Sequence, residues 1–214
     1  MLNLRAAYRA WSSYAGANPA TRAFLLARLV NAPLGPLEPE FERLHGRVLS
    51  LGAGYGLIER YVVETNPSVS IEGVELDARR VEVAGAAPVP RVTVTLADVR
   101  ALPSDGAFSG AFAMDVLHHL PFDEHAPIAA ALRDCLEPGG TLLVKDIAVT
   151  PRWKHACNRA HDRLVAGRAP IHCRDPQDMA ALLAESGLIV EAVRRLSPVS
   201  PYPHYLIRAT RPPD

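Results

Sequence analysis

Three glycines at alternate positions, Gly52, Gly54 and Gly56, follow the apolar run VLSL at residues 48–51 and lead into a helix-like segment. Removing side chains in this pattern lets a backbone bend sharply and lets a ligand approach it without meeting a Cβ. Glu75 lies 23 residues after Gly52, at the end of the strand-like run VSIEGVE. A carboxylate there is the expected acceptor for ribose hydroxyls. Asp98 closes a third such run, RVTVTLAD, and His118-His119 follow a fourth directly. A histidine titrates close enough to neutrality to take a proton from a reacting group. Asp146, ending the fifth run in VKDI, is the other candidate base. The chemistry on offer is thus nucleoside binding at a glycine loop, with proton abstraction beside it.

The spacing of the loop narrows the ligand. A dinucleotide fingerprint reads G-x-G-x-x-G, whereas Gly52-Ala53-Gly54-Tyr55-Gly56-Leu57 brings the third glycine one position early. That variant suits a nucleoside without a pyrophosphate. A tight strand-to-helix turn with no ligand is the alternative for the loop alone, and Glu75 argues against it.

These residues need elements to hold them at one edge. Strands are predicted at 47–51, 69–75, 91–98, 110–116 and 140–147, separated by helices at 56–65, 77–86 and 123–136. Strands alternating with helices imply βαβ units, a parallel sheet and right-handed crossovers. Ligands in such sheets bind beyond the C-terminal strand ends. The fold class is therefore α/β: a doubly wound, mostly parallel seven-stranded sheet with an antiparallel last strand. Its final pair is expected at 188–196 and 204–210, joined by SPVSPYP. Helices at 3–15 and 20–31 form an N-terminal cap over residues 1–45, APLGPLEPE at 32–40 is read as a break, and a short helix passes through Phe41 and Leu44. Core residues then occupy 46–214, with an inserted lid at about 151–187. Within it Asp175 is placed to cap a helix and Gly187 to end it.

Bulk composition excludes several classes. Of 214 residues, 49% are apolar, and Lys+Arg and Asp+Glu both number 23. Zero net charge removes the long-range pull of a general nucleic-acid binder. Three cysteines without paired spacing point to a reducing, cytoplasmic compartment. AFLLARLV at 23–30 is too short to span a bilayer.

Taken together, residues 46–147 resemble the class I S-adenosylmethionine-dependent methyltransferases. LGAGYG matches the glycine motif, VELD the ribose acid, AD the adenine contact, DVLHHL the fourth-strand motif, and LEPGGTLLVKD the turn into strand five. The resemblance implies that Leu51, Gly52, Ala53 and Gly54 hold the methionine end of S-adenosylmethionine, that Glu75 takes the ribose hydroxyls and that Leu76 flanks the adenine. Asp98 would accept from the adenine amino group beside Val99, and Asp115 and Val116 would line the amino-acid portion. His118, His119 and Asp146 are the catalytic candidates. Tyr8, Trp11, Tyr14, His155 and Tyr202 come from elements expected to close an apolar pocket over a small acceptor. His204 is read as structural. Asp146-Ile147 lacks the adjacent acid and amide of a magnesium-dependent catechol-type site, and Cys157 with His161 lacks CxxC support for zinc, so no metal is expected.

PRWKHACNRAHDRL and YPHYLIR further resemble small bacterial methyltransferases of secondary metabolism, including aryl-polyene-type lipid clusters. The expected acceptor is a hydroxylated or aromatic metabolite, methylated on oxygen or carbon to leave S-adenosylhomocysteine. A protein methyltransferase and a non-catalytic cofactor-binding partner subunit are the competing readings. A nucleic-acid methyltransferase is disfavoured, because no Asn/Asp-Pro-Pro-aromatic clamp for a flipped base follows strand four. A homodimer or a pathway partner is compatible with all of these, and stable membrane insertion is not.

Overall fold

The computed structural model describes residues 2–102, 106–151, 153, 170–196 and 202–213. Contacts divide them into two compact units: the residues up to Ala101 with Phe108–Gly110, and the remaining described residues. Seven strands form one sheet in the order β3-β2-β1-β4-β5-β7-β6. This is the expected α/β architecture.

In the first unit, α1 (Leu4–Ser12) and α2 (Pro19–Asn31) each begin at an asparagine. The Asn3 and Asn18 side chains accept from Ala6 N–H at 3.1 Å and Thr21 N–H at 2.8 Å. Each satisfies a helix N–H that has no intrahelical acceptor, worth about 1 kcal/mol. The proline-rich stretch is not a break: Leu34–Phe41 is helical (α3), with Pro39 inside it. Pro36 stands in the first turn, where no intrahelical N–H is needed. Leu34, Leu37 and Phe41 fall on one face and are buried, and this burial overrides the poor propensity of the segment. Leu44 lies beyond the helix.

The unit's sheet portion is β1 (Gly46–Leu51), β2 (Val69–Glu75) and β3 (Val92–Leu96), all parallel. Helices α4 (Leu57–Thr65) and α5 (Ala78–Ala86) follow β1 and β2. Asp77 caps α5 by accepting from Arg79 N–H at 2.9 Å. The register pairs Leu51 with Val74 and Glu75 with Leu96, so the glycine loop and the acid leave neighbouring strands at the same end.

β4 (Phe108–Met114) is buried throughout. In the second unit a 3-10 turn at Leu117–His119 and another at Phe122–Glu124 precede α6 (His125–Cys135). Next come β5 (Leu136–Ile147), α7 (Pro176–Glu185), β6 (Ile189–Arg195) and β7 (His204–Thr210). β7 runs antiparallel to both β5 and β6 and sits between them. Its register sets Tyr205 opposite Asp146 and His204 opposite Ile147. Asp175 precedes α7 but makes no side-chain cap. Its carboxylate instead accepts from Thr150, from N–H at 3.3 Å and Oγ1–H at 2.9 Å. Gly187 ends that helix at φ +88°. Among the described residues no helix is long and apolar enough to cross a membrane.

Candidate functional site

The glycine loop in the first unit is built from backbone that only glycine adopts readily. Gly52, Gly54 and Gly56 have φ of +61°, +58° and +75°. At Gly56, the residue before α4, a Cβ would stand 3.0 Å from Val94 Cγ2. At Gly54 a Cβ would meet nothing within 4 Å, so the space beside this backbone is open. Behind the loop, the missing side chain of Gly73 lets Ala53 pack tightly on β2.

Glu75 is 6% exposed and faces the loop. Its Oε2 accepts from Gly54 N–H at 2.7 Å and its Oε1 from Asp77 N–H at 2.9 Å. Two backbone donors orient an acid whose oxygens each retain a lone pair for a ligand hydroxyl. Leu76 beside it is 64% exposed, an apolar surface next to an anchored carboxylate. Asp98 accepts from Arg100 N–H at 3.0 Å and Nη1–H at 3.1 Å. The backbone N–H of Arg100, followed by its guanidinium, holds the Asp98 carboxyl below its ordinary value. It therefore stays an acceptor at neutral pH, while Val99 next to it is buried. This set of glycine backbone, anchored acid, exposed leucine and ionised aspartate fits a ribonucleoside.

Tyr14 braces the loop. It is fully buried, donates to the Tyr55 carbonyl at 2.6 Å, and lies under the Arg60 guanidinium at 4.0 Å. Arg60 in turn donates to Ser13 Oγ and the Ala84 carbonyl, both at 2.8 Å. Under the loop, buried Glu59 accepts from Ser50 Oγ–H at 2.5 Å.

In the second unit the chain leaves β4 through Asp115, a non-glycine residue at φ +59°. Left-handed backbone at such a residue is strained and needs support. Here Lys145, 2% exposed, donates to both Asp115 oxygens at 2.5 and 2.6 Å, and Asp115 N–H donates to the Lys145 carbonyl at 2.8 Å. The His204 ring nitrogen lies 3.8 Å from the same carboxylate. Val116 follows and opens the 3-10 turn.

That turn brings two catalytic candidates together. Asp146 Oδ1 bonds His118 Nδ1, and Asp146 Oδ2 accepts from His118 N–H at 3.1 Å. Both side chains are buried, and Ile147 N–H donates to Oδ1 at 2.8 Å. A carboxylate at Nδ1 places the proton on that nitrogen, which leaves Nε2 of a neutral ring as a proton acceptor. His119 is exposed, its ring centroid 4.1 Å from that of His118.

Trp11 donates from Nε1 to the Arg22 carbonyl at 3.0 Å and carries the Arg22 guanidinium over its ring at 4.5 Å. Tyr8 is exposed, 6.5 Å from it between ring centroids. Tyr202 lies 5.7 Å from the His204 ring. His155, Cys157 and His161 lie outside the described residues. Among those described, no group of three or more His, Cys, Asp or Glu could hold a metal ion. Sequence reading passed over Lys145, although a lysine inside an otherwise buried strand must find a counter-charge. It also passed over His125 and Arg174, which meet across 49 residues of sequence.

The methyltransferase-domain family matches residues 21–193, well over half of the chain. The trans-aconitate 2-methyltransferase of Deinococcus radiodurans is 29% identical over 118 residues, 55% of this chain and 43% of that protein, so the match spans less than half the relative's length. An S-adenosylmethionine-dependent methyltransferase from Mesorhizobium loti superposes with a TM-score of 0.68 at 21% identity, covering 84% of this chain and 98% of that one. The mitomycin 7-O-methyltransferase MmcR superposes at 0.72 and 23% identity, over 94% of this chain and 60% of that one. The chain therefore belongs to the methyltransferase-domain family, and it shares the fold of the S-adenosylmethionine-dependent methyltransferase on which it superposes.

Proposed function

We propose that the protein transfers the methyl group of S-adenosylmethionine to a small hydroxylated aromatic acceptor, on oxygen or an activated carbon, with His118 as the general base. The observation that carries this reading is the buried His118–Asp146 pair. Its tautomer, with the proton on Nδ1, makes Nε2 the basic nitrogen of the ring. The likeness to an O-methyltransferase of a small molecule supports the acceptor class.

The cofactor, when bound, would supply a methyl group on a sulfonium whose sulfur takes the electron pair of the breaking C–S bond and departs as the neutral thioether of S-adenosylhomocysteine. The chain's residues do the rest. Gly54 backbone and Glu75 offer the ribose a close surface and an acceptor, and Asp98 accepts from the base. Holding reactants in line supplies up to about 7–11 kcal/mol of the barrier. His118 removes the acceptor proton at Nε2 while Asp146 stabilises the resulting imidazolium, worth about 10²–10⁴-fold. His119, exposed beside it, is proposed to contact the acceptor.

The test is labelled-methyl transfer to a panel of phenols and enols, with wild type, H118Q and E75A in parallel. Transfer that falls at least about a hundredfold in H118Q while S-adenosylmethionine still binds fits the reading. Full turnover by H118Q overturns the base, and calorimetry showing no cofactor binding to wild type overturns the function.

A further inference from the structure

We propose that Arg174 and His125 are positioning residues for the proposed base, acting together to set the turn that carries His118. The inference rests on the reading of His118 as the base.

The buried His125 ring at the start of α6 closes this turn. Its Nε2 lies 2.9 Å from the Leu117 carbonyl and 3.0 Å from the Leu120 carbonyl, the residues flanking the histidine pair. Two acceptors at Nε2 put the proton there, so Nδ1 carries a lone pair. That lone pair takes the Arg174 Nε–H at 2.9 Å. Arg174 also donates from Nη2 to the Phe122 carbonyl at 3.2 Å and lies 4.9 Å over the Phe122 ring. Two residues earlier on the same segment, His172 N–H donates to the His118 carbonyl at 2.7 Å. The 170–175 segment therefore grips the turn twice, once at His118 itself and once through His125.

The arrangement works only with a neutral imidazole at 125. A proton added to Nδ1 would turn the acceptor into a donor and set a cation against the guanidinium. The groups that act on this ring are Arg174 from the 170–175 segment, Asp146 from β5, and the two turn carbonyls. His172 stands across the Phe122 ring, 5.1 Å away. Burial and Arg174 oppose the charged form, while Asp146 and the carbonyls favour it; burial dominates and pulls His125 below the ordinary histidine range. Near neutral pH the clasp is closed, and protonation of His125 in acid would open it.

Imidazole ¹⁵N and ¹³C NMR of the intact protein, titrated from about pH 5 to about pH 8, tests this directly. The expected wild-type result is a single Nε2–H tautomer at His125 that resists protonation. R174Q should raise its apparent pKa, shift the His118 ring resonances, and cut kcat about tenfold with little change in KM for S-adenosylmethionine. H125Q, whose amide N–H still reaches the two carbonyls, should retain more turnover than H125A. Unmoved His118 resonances in R174Q, an ordinary titration of His125 in wild type, or equal losses in H125Q and H125A would each overturn the proposal. The NMR arm needs no acceptor and is independent of the base assignment, which H118Q decides.

Discussion

Glu59 offers the sharpest test of the energetics beneath the glycine loop. It lies in the first turn of α4, 2% exposed, with Oε1 bonded to Ser50 and Oε2 without a hydrogen-bond partner. Burial pushes its carboxyl up from 4.5 to about 7, against the opposing effects of the Ser50 hydroxyl, its own backbone N–H, Arg28 and Arg60. The folded-state value is raised, so the native chain binds more protons than the unfolded chain between about pH 4.5 and 7. This contribution to stability is complete below that window and is lost as pH rises through it. At ~1.36 kcal/mol per pKa unit, about 3 kcal/mol disappears by pH 8. Glu59→Gln keeps the shape and an acceptor for Ser50 but cannot ionise. Urea unfolding followed by circular dichroism at several pH values compares the two proteins. E59Q should match or slightly trail wild type near pH 5 and exceed it by about 1–3 kcal/mol at pH 8, after allowing for an unpaired amide. A pH-independent difference, or an E59Q deficit that grows with pH, would refute the reasoning.

Lys145→Met strands the Asp115 carboxylate in a nearly dry site and should lower stability by about 3–5 kcal/mol; the Lys145→Met, Asp115→Asn double variant should recover part of that loss in a thermal melt. Gly54→Ala places its methyl in open space, so the backbone at φ +58° carries the penalty, about 1–2 kcal/mol in unfolding free energy. In calorimetry the same methyl, standing where the cofactor is proposed to approach, should weaken S-adenosylmethionine binding at least about tenfold. Tyr14→Phe leaves the Tyr55 carbonyl without its donor and should cost about 1–3 kcal/mol, read by urea unfolding.

What was legible in the sequence was local. The glycine loop, Glu75 and Asp98 could be read because each sits at a fixed offset from a strand end, and a parallel sheet carries all strand ends to one edge. His118 and Asp146 were both readable as strand-end residues, while their direct bond was not, since it depends on how the 3-10 turn folds back. α3 was missed because prolines speak about local preference and the buried face of Leu34, Leu37 and Phe41 speaks about tertiary packing. Asp175 has the right type and place for a cap, yet Thr150, 25 residues earlier, competes successfully for its carboxylate. Tyr14, grouped with Tyr8 and Trp11 as a pocket aromatic, is a brace for Tyr55. Arg174 and His125 carry no pattern at all, because nothing in a linear sequence announces a partner 49 residues away.

The place of β7 has a consequence for the order of events during synthesis. β5, flanked on one side by β4, gains its second neighbour only when residues 204–210 have been made, because β7 lies between β5 and β6. At ~5–20 residues/s that is a wait of roughly 3–12 s after Ile147 is added. Through this interval the β5 edge, with Leu142, Leu143 and Val144, presents unpaired backbone beside apolar side chains. Tyr205, which lies across from Asp146, and His204, beside the Asp115 carboxylate, both arrive with the late strand. The nascent chain can therefore shape its glycine loop early, but the surroundings of the His118–Asp146 pair are complete only when its last strand docks.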